Sequence, residues 1–344
     1  MRSVLSLVVL LLGGLISGLL ISCAPAEPRA SALPKVEPLV AQRADPFIHR
    51  TVTGRYYFIA TAPEFDRIEM RAANSLAEIK TAEAKTVWRK HSTGPMGANI
   101  WAPELHYFNN SWYIYFAAGD AEKPWLIRMY VLANESADPL TGEWKELGSV
   151  QTARDSFSLD ATTFEHQGQR YLVWAQKDPQ EKFNSALYIA QLISPTQVGD
   201  VETEISRPQL DWEIQGYKVN EGAAVIEHKG KIFISYSASA TDHRYAMGLL
   251  WADADSDLLA ASSWHKLQEP VFTSNPALNR YGPGHNSFTK DDYGQDDIMV
   301  YHARDYLELQ GTPLTDPNRH TYIRRLKWTS EGFPDFGQNK SDVE

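Results

Sequence analysis

Five short runs of aromatic and β-branched residues recur about every 60 residues once the first 40 positions are passed. They are residues 56–61 (YYFIAT), 112–116 (WYIYF), 170–174 (RYLVW), 231–236 (KIFISY) and 297–301 (DIMVY). Such runs, with no period near 3.6, read as strands. Four of the five follow turn residues: Gly54-Arg55, Asn109-Asn110-Ser111, Gln167-Gly168-Gln169 and His228-Lys229-Gly230. That is the chemistry of a hairpin joining an inner strand to its neighbour. A further strand-like stretch follows three of them, at residues 127–133, 186–192 and 247–252. Units of roughly 60 residues fill the chain beyond residue 40, which predicts an all-β protein built by radial repetition, a five-bladed β-propeller. The same pattern admits a β-sandwich or two β-domains, but no Pro/Gly-rich linker interrupts residues 41–337 to separate domains.

Composition narrows the function. Aromatic residues make up 11% of the chain, a load that suits sheets and flat, sugar-like ligands. The net charge of −10 offers no basic stripe for a phosphate backbone, so nucleic acid is excluded as a partner. A single cysteine, Cys23, rules out an intramolecular disulfide framework and a thiolate zinc site.

Residues 1–21 carry one positive charge, Arg2, no acid, and an apolar run relieved only by Ser and Gly, the pattern of an export signal. The run is also about the length of a membrane span. It ends in Leu20-Ile21-Ser22-Cys23, which resembles the bacterial lipobox, where cleavage precedes the cysteine and its thiol takes a diacylglycerol. The expected organisation is a lipoprotein signal at 1–22, a Pro-rich spacer at 23–39 and the propeller at 40–344. The protein is thus expected to be exported and held at a bacterial envelope by a lipid on Cys23, with release to the extracellular space as the alternative.

The first strand of each propeller blade lines the central channel, so acids there share one cavity. Three acids stand just before, or in the strand preceding, a repeat hairpin: Asp45 in Ala44-Asp45-Pro46, Asp160 in Leu159-Asp160-Ala161 and Glu221 in Asn220-Glu221-Gly222. Each alone reads more readily as structural: a turn cap at Asp45, a bond to a neighbouring backbone amide at Asp160, a loop residue at Glu221. Together they read as a catalytic set, because clustered, poorly solvated carboxylates have their proton affinities driven apart, and acid–base division of labour needs that separation.

These residues belong to six ordered segments: 42–47 (QRADPF), 100–106 (IWAPELH), 157–164 (FSLDATTF), 219–222 (VNEG), 281–288 (YGPGHNSF) and 301–304 (YHAR). In them the chain resembles glycoside hydrolase family 43, and closely its exo-acting, arabinan-degrading α-L-arabinofuranosidases. The resemblance implies a five-bladed propeller, Asp45 as general base, Glu221 as general acid, and Asp160 as the residue that orients the acid and raises its pKa. Inversion at an anomeric carbon needs such a pair on opposite faces of the sugar. It further implies that His285 helps hold a hydrated cation, Ca or Na, in the channel, with no cofactor required for the chemistry, and that Phe47 and Trp101 face the sugar. Arg304 is expected to fork onto furanose hydroxyls or the catalytic acids. His285 and Trp101 also read as core residues, and Arg304 as a salt-bridged one.

The expected activity is release of terminal α-L-arabinofuranosyl units from arabinan or arabino-oligosaccharides. A β-xylosidase or an endo-arabinanase on the same fold is the alternative, as is a non-catalytic carbohydrate-binding propeller, which the three acids disfavour. Residues 62–67 and 304–307, following blade strands, are expected to wall the channel mouth into a pocket for one chain end. For the anchor, Cys23→Ala should release the protein from the envelope; mass spectrometry showing an unmodified N-terminus downstream of Cys23 would contradict the lipid reading.

Overall fold

The computed structural model describes residues 37–337. The expected signal, Cys23 and most of the Pro-rich spacer lie outside them. The described residues form strands and four short 3-10 turns, with no α-helix among them.

The strands are arranged as a five-bladed propeller, each blade running antiparallel from the inside outwards. Blade 1 comprises Ala44–Arg50, Tyr56–Thr61, Arg67–Ala73 and Lys85–Arg89. Blade 2 comprises Ala98–Phe108, Ser111–Gly119, Arg128–Asn134 and Lys145–Ser149. Blade 3 has Ser158–His166, Gln169–Gln176 and Ala186–Ser194, and its outer edge is shared by Gln197–Val198 and Thr203–Ser206. Blade 4 comprises Asn220–His228, Lys231–Ala238, Ala246–Asp253 and His265–Lys266. Blade 5 has only Tyr281–Lys290, Asp297–Arg304 and His320–Arg325. Its outer edge is met instead by the start of the domain, where Leu39 and Thr321 exchange N–H···O bonds with Thr321 and Val40 at 2.8 and 2.9 Å. The chain thereby closes its own ring.

All five sequence runs are second strands. They are buried on both faces, which is why they read as near-continuous apolar stretches instead of alternating ones. Three of the expected turns are two-residue hairpins with both residues left-handed or nearly so: Asn109-Asn110 (φ 49° and 58°), Gln167-Gly168 (50° and 74°) and Lys229-Gly230 (45° and 74°). The apolar core divides into five clusters, one in each seam between neighbouring blades. Ile232, Ile234 and Leu250 of blade 4, for example, pack on Val173, Leu187 and Ile189 of blade 3.

The site depends on one departure from regular pairing. Every innermost strand breaks register with its neighbour near the same end of the channel. Each of these strands has a left-handed residue at such a break: Asp45 (φ 53°), Ala102 (45°), Asp160 (56°), Gly222 (58°) and His285 (43°), and blades 2 and 5 have a second break each, at Asn99 (52°) and Gly282 (60°). These are β-bulges in phase around the ring, and they re-aim side chains toward the axis. Because the seams hold the blades together, Ile234→Ala should cost ~2–5 kcal/mol in urea unfolding, whereas Val52→Ala, at a fully exposed position, should change stability by less than about 0.5 kcal/mol.

Candidate active site

The five bulges bring residues from distant parts of the chain to one end of the channel. In four blades the amide of the left-handed residue donates to a side chain of the preceding blade in the ring. Asp45 N bonds His302 Nδ1 at 3.0 Å, Ala102 N bonds Thr61 Oγ1 at 2.8 Å, Gly222 N bonds Asp160 Oδ2 at 3.0 Å, and His285 N bonds Ser237 Oγ at 2.8 Å. Gly222 admits no larger residue easily, since a Cβ there would sit 3.0 Å from the His285 ring.

Asp45 is buried. Its Oδ2 accepts from Thr61 Oγ1 at 2.6 Å and its Oδ1 from Arg319 Nη1 at 3.2 Å. The Nδ1 atoms of His285 and His302 both lie 3.3 Å from Oδ1. Burial alone would push this carboxyl up; the Arg319 charge, aided by His285, outweighs it and holds Asp45 well below the usual carboxylate range. His302 is itself pushed down to about 3, chiefly by burial, so its neutral ring accepts the Asp45 amide proton.

Asp160 and Glu221 lie in the opposite electrostatic situation. Burial, then the charges of Glu221 and Asp45, hold Asp160 well above its ordinary value, against the hydrogen bond from Gly222. Burial also raises Glu221, to about 7; the Tyr245 hydroxyl, which donates to Oε1 at 2.9 Å, and Arg319 pull it down, and Asp45 pushes it up. The site therefore combines an ionised carboxylate on blade 1 with a coupled pair on blades 3 and 4 that retains a proton near neutrality. Glu104, buried and bonded to His106 at 2.9 Å, adds to the negative field on Asp160.

Tyr245 and His302 link the two halves. Their rings stack at 5.7 Å with an interplanar angle of 5°, so a continuous path runs from Asp45 through His302 and Tyr245 to Glu221. Gly284 makes room for it, since a Cβ there would meet Tyr245 Cε1 at 2.5 Å.

The remaining expected residues divide. His285 is buried at the bulge of blade 5, its Nδ1 also 3.8 Å from Asp160 Oδ2. Phe47 is partly buried, 5.0 Å from the His106 ring. Trp101 is likewise partly buried, edge-on to Phe65 and Trp125 at 5.8 and 6.0 Å. Arg304 requires correction. It is 2% exposed, its guanidinium donates to the carbonyls of Thr241 and Pro313 at 2.7 and 3.1 Å, and it lies 3.5 Å from Asp316. A guanidinium so committed to loop carbonyls is not turned to a sugar or to the acids. The arginine that reaches the base is Arg319.

Arg319 arrives on residues 305–319, which Asp316 organises by accepting from Tyr306 Oη at 2.7 and 2.9 Å and from the amides of Gln310 and Asn318. Leu314, Pro317 and Arg319 of this segment line a small pocket together with Ala44, Thr61, Pro63 and Phe65. Residues of the expected 62–67 segment thus meet residues 314–319, beyond the expected 304–307, beside Thr61 and Arg319, which bond Asp45.

A family model, Glycosyl hydrolases family 43, matches residues 36–334. The chain belongs to this family. It is 52% identical over 316 residues to an extracellular exo-α-(1→5)-L-arabinofuranosidase of Streptomyces avermitilis, covering 91% of this chain and 66% of that protein. The chain therefore spans about two thirds of that relative's length. A Streptomyces chartreusis protein of the same name is 50% identical over 290 residues, covering 84% of this chain and 88% of its own. The crystal structure of an α-L-arabinofuranosidase from Lactobacillus brevis superposes with a TM-score of 0.86 at 45% identity, covering 89% of this chain and 97% of that one.

Within this family-43 chain the groups facing Glu221 are Tyr245, Asp160, Asp45, Arg319 and the neighbouring His285. Tyr245 donates to the ionised form of Glu221 and so favours proton loss. Tyr245→Phe should move the alkaline limb of kcat/KM upward from near 7, by up to about one pH unit. A limb that stays in place or moves down would contradict the assigned contact.

Proposed function

We propose that this chain is an inverting glycoside hydrolase that releases terminal α-L-arabinofuranosyl residues from arabinan or arabino-oligosaccharides. The observation that carries this reading is the unequal treatment of the buried carboxyls. Arg319 and Thr61 hold Asp45 ionised, while Glu221, across the stitched ring, keeps its proton to about 7. Asp45 deprotonates the attacking water on one face of the furanose, and Glu221 protonates the leaving oxygen on the other. Asp160, coupled to Glu221 and bonded to the amide of the next residue, Gly222, fixes that strand and opposes early loss of the acid's proton. Relatives sharing about half of the sequence bear the exo-α-(1→5)-L-arabinofuranosidase name, which supports arabinose as the sugar. A wall at residues 62–67 and 314–319, beside the base, favours a chain end over a passing polymer.

The chemistry proposed here calls on carboxyl groups and water alone, with no cofactor. Among the described residues no group of three or more His, Cys, Asp or Glu side chains is arranged to hold a metal, so His285 would offer a channel Ca or Na ion one nitrogen, with water supplying the rest. Export is supported by relatives named extracellular, and the Cys23 lipid anchor completes the reading with attachment to an envelope membrane.

Debranched arabinan should yield free arabinose as the earliest product; oligosaccharides of mixed length, or preferential release of xylose from xylo-oligosaccharides, would overturn the assignment. Asp45→Asn and Glu221→Gln should each lower turnover by at least about 10²-fold. An aryl arabinofuranoside whose leaving group needs no protonation should restore Glu221→Gln and leave Asp45→Asn impaired. Equal rescue of both would reverse the roles.

A further inference from the structure

Among the described residues the least exposed acid, Glu213, stands outside the catalytic set, and the mechanism above makes no use of it. It ends the 3-10 turn Asp211–Glu213 in the connection from blade 3 to blade 4. Its Oε1 accepts from Lys266 Nζ at 2.6 Å, Tyr236 Oη at 2.8 Å and Asn220 Nδ2 at 3.0 Å, and its Oε2 from the amides of Gln209 and Leu210, both at 2.9 Å. Lys266, on the outer strand of blade 4, directs its other donors to the Arg207 carbonyl at 2.8 Å and to Asn220 Oδ1 at 3.4 Å. A buried ion pair seldom adds net stability over apolar residues of similar volume. What a fully bonded one supplies is a single fixed geometry.

Two routes lead from this pair to the catalytic acid. The first is Asn220, the residue before Glu221. Asn220 is fully buried, and besides its bonds to Glu213 and Lys266 its side chain accepts from Ser206 Oγ at 2.7 Å. Its backbone is tied as well, its amide donating to the Ser185 carbonyl and its carbonyl accepting from Ser185 Oγ, both at 3.1 Å. Successive side chains of a strand point to opposite faces, so a clamp made on Asn220 between blades 3 and 4 fixes the neighbour that projects to the channel. Glu221 is thereby held from both sides along the chain, by Asn220 before it and by Gly222 after it, whose amide bonds Asp160.

The second route is Tyr245, which donates to Glu221. The turn that ends in Glu213 is bonded to the start of the segment carrying this tyrosine. Gln215 N donates to Ser239 Oγ at 2.9 Å, Ser239 Oγ to the Trp212 carbonyl at 2.7 Å, and Ala240 N to the Gln215 carbonyl at 2.9 Å.

We infer that Glu213, with Lys266 as its counter-ion, is a positioning residue for the catalytic acid: through Asn220 and residues 211–215 it holds the Glu221 carboxyl where it can protonate the leaving oxygen. The inference rests on the hydrolase reading above. None of the contacts named here reaches Asp45, so the effect of Glu213 is confined to the step that Glu221 performs.

Kinetics of Glu213→Gln and Asn220→Ala beside the wild type separate this role from a general structural one. On α-1,5-arabinotriose, whose leaving oxygen needs a proton, both variants should lose about tenfold in kcat with KM nearly unchanged, because a catalytic group moved slightly out of place loses much of its effect. On 2,4-dinitrophenyl α-L-arabinofuranoside, whose leaving group departs without a proton, both should keep most of their kcat. Equal loss on the two substrates, or arabinotriose turnover unchanged in either variant, would overturn the inference. Removing one partner of a buried pair is strongly destabilising. If Glu213→Gln does not fold, Asn220→Ala, which leaves the Glu213–Lys266 pair in place, decides by the same criteria. If the wild type does not cleave arabinotriose, the hydrolase reading fails instead, and a crystal structure of Asn220→Ala decides the positioning. A Glu221 carboxyl moved away from Tyr245 Oη supports it; a contact kept at 2.9 Å refutes it.

Discussion

The site depends on a backbone constraint repeated five times: a left-handed residue in a bulge of each innermost strand. Four of these residues are not glycine, and holding a side chain in this conformation costs ~1 kcal/mol or more each. The cost is offset where it arises. The amides turned inward by the bulges at Asp45, Ala102, Gly222 and His285 each find a partner on the preceding blade, and a satisfied buried N–H avoids a penalty of similar size. The strain, the closure of the ring and the aim of the polar side chains are consequences of one local geometry.

That geometry explains how like charges coexist at the axis. Packing carboxyls into one poorly solvated channel is unfavourable unless each has its own compensation. Asp45 receives a guanidinium and a hydroxyl and remains ionised. Asp160 and Glu221 receive an amide and a phenol, weaker partners that leave them prone to protonation. The division of labour follows from which partner each blade delivers, since all three groups begin as ordinary carboxyls. The Tyr245–His302 stack spans the gap between the two halves.

The five-bladed fold was legible because its signal is local. Second strands buried on both faces read as aromatic and β-branched runs, and turns such as Asn109-Asn110 and Lys229-Gly230 mark the hairpins that precede them. The three acids stood out by their phase within the repeat. What stayed hidden depends on contacts between remote segments. Arg319 is 274 positions from Asp45 and comes from an irregular loop shaped by Asp316, so no spacing pattern announces it. Arg304 was the more conspicuous arginine because it ends a blade strand, yet burial there turns it toward loop carbonyls. His302 and Thr61 lay within visible strand motifs, but their roles appear only when adjacent blades meet. Tyr245 has no local signature. The missing fourth strand of blade 5 was also hidden: Leu39-Val40, some 280 positions away in the chain, meets that sheet's outer edge at Thr321 instead.

In the proposed mechanism a carboxylate held ionised on blade 1 and a protonated one on blade 4 act from opposite faces of one furanose, which should produce a single stereochemical outcome. Proton NMR of the first product, recorded within the lifetime of its anomeric configuration during hydrolysis of an α-L-arabinofuranoside, measures that outcome directly. Initial appearance of the β-anomer, relaxing afterwards to the equilibrium mixture, is the expected result. Initial appearance of the α-anomer would show that configuration is retained and would contradict the separated base and acid on which the proposed mechanism stands.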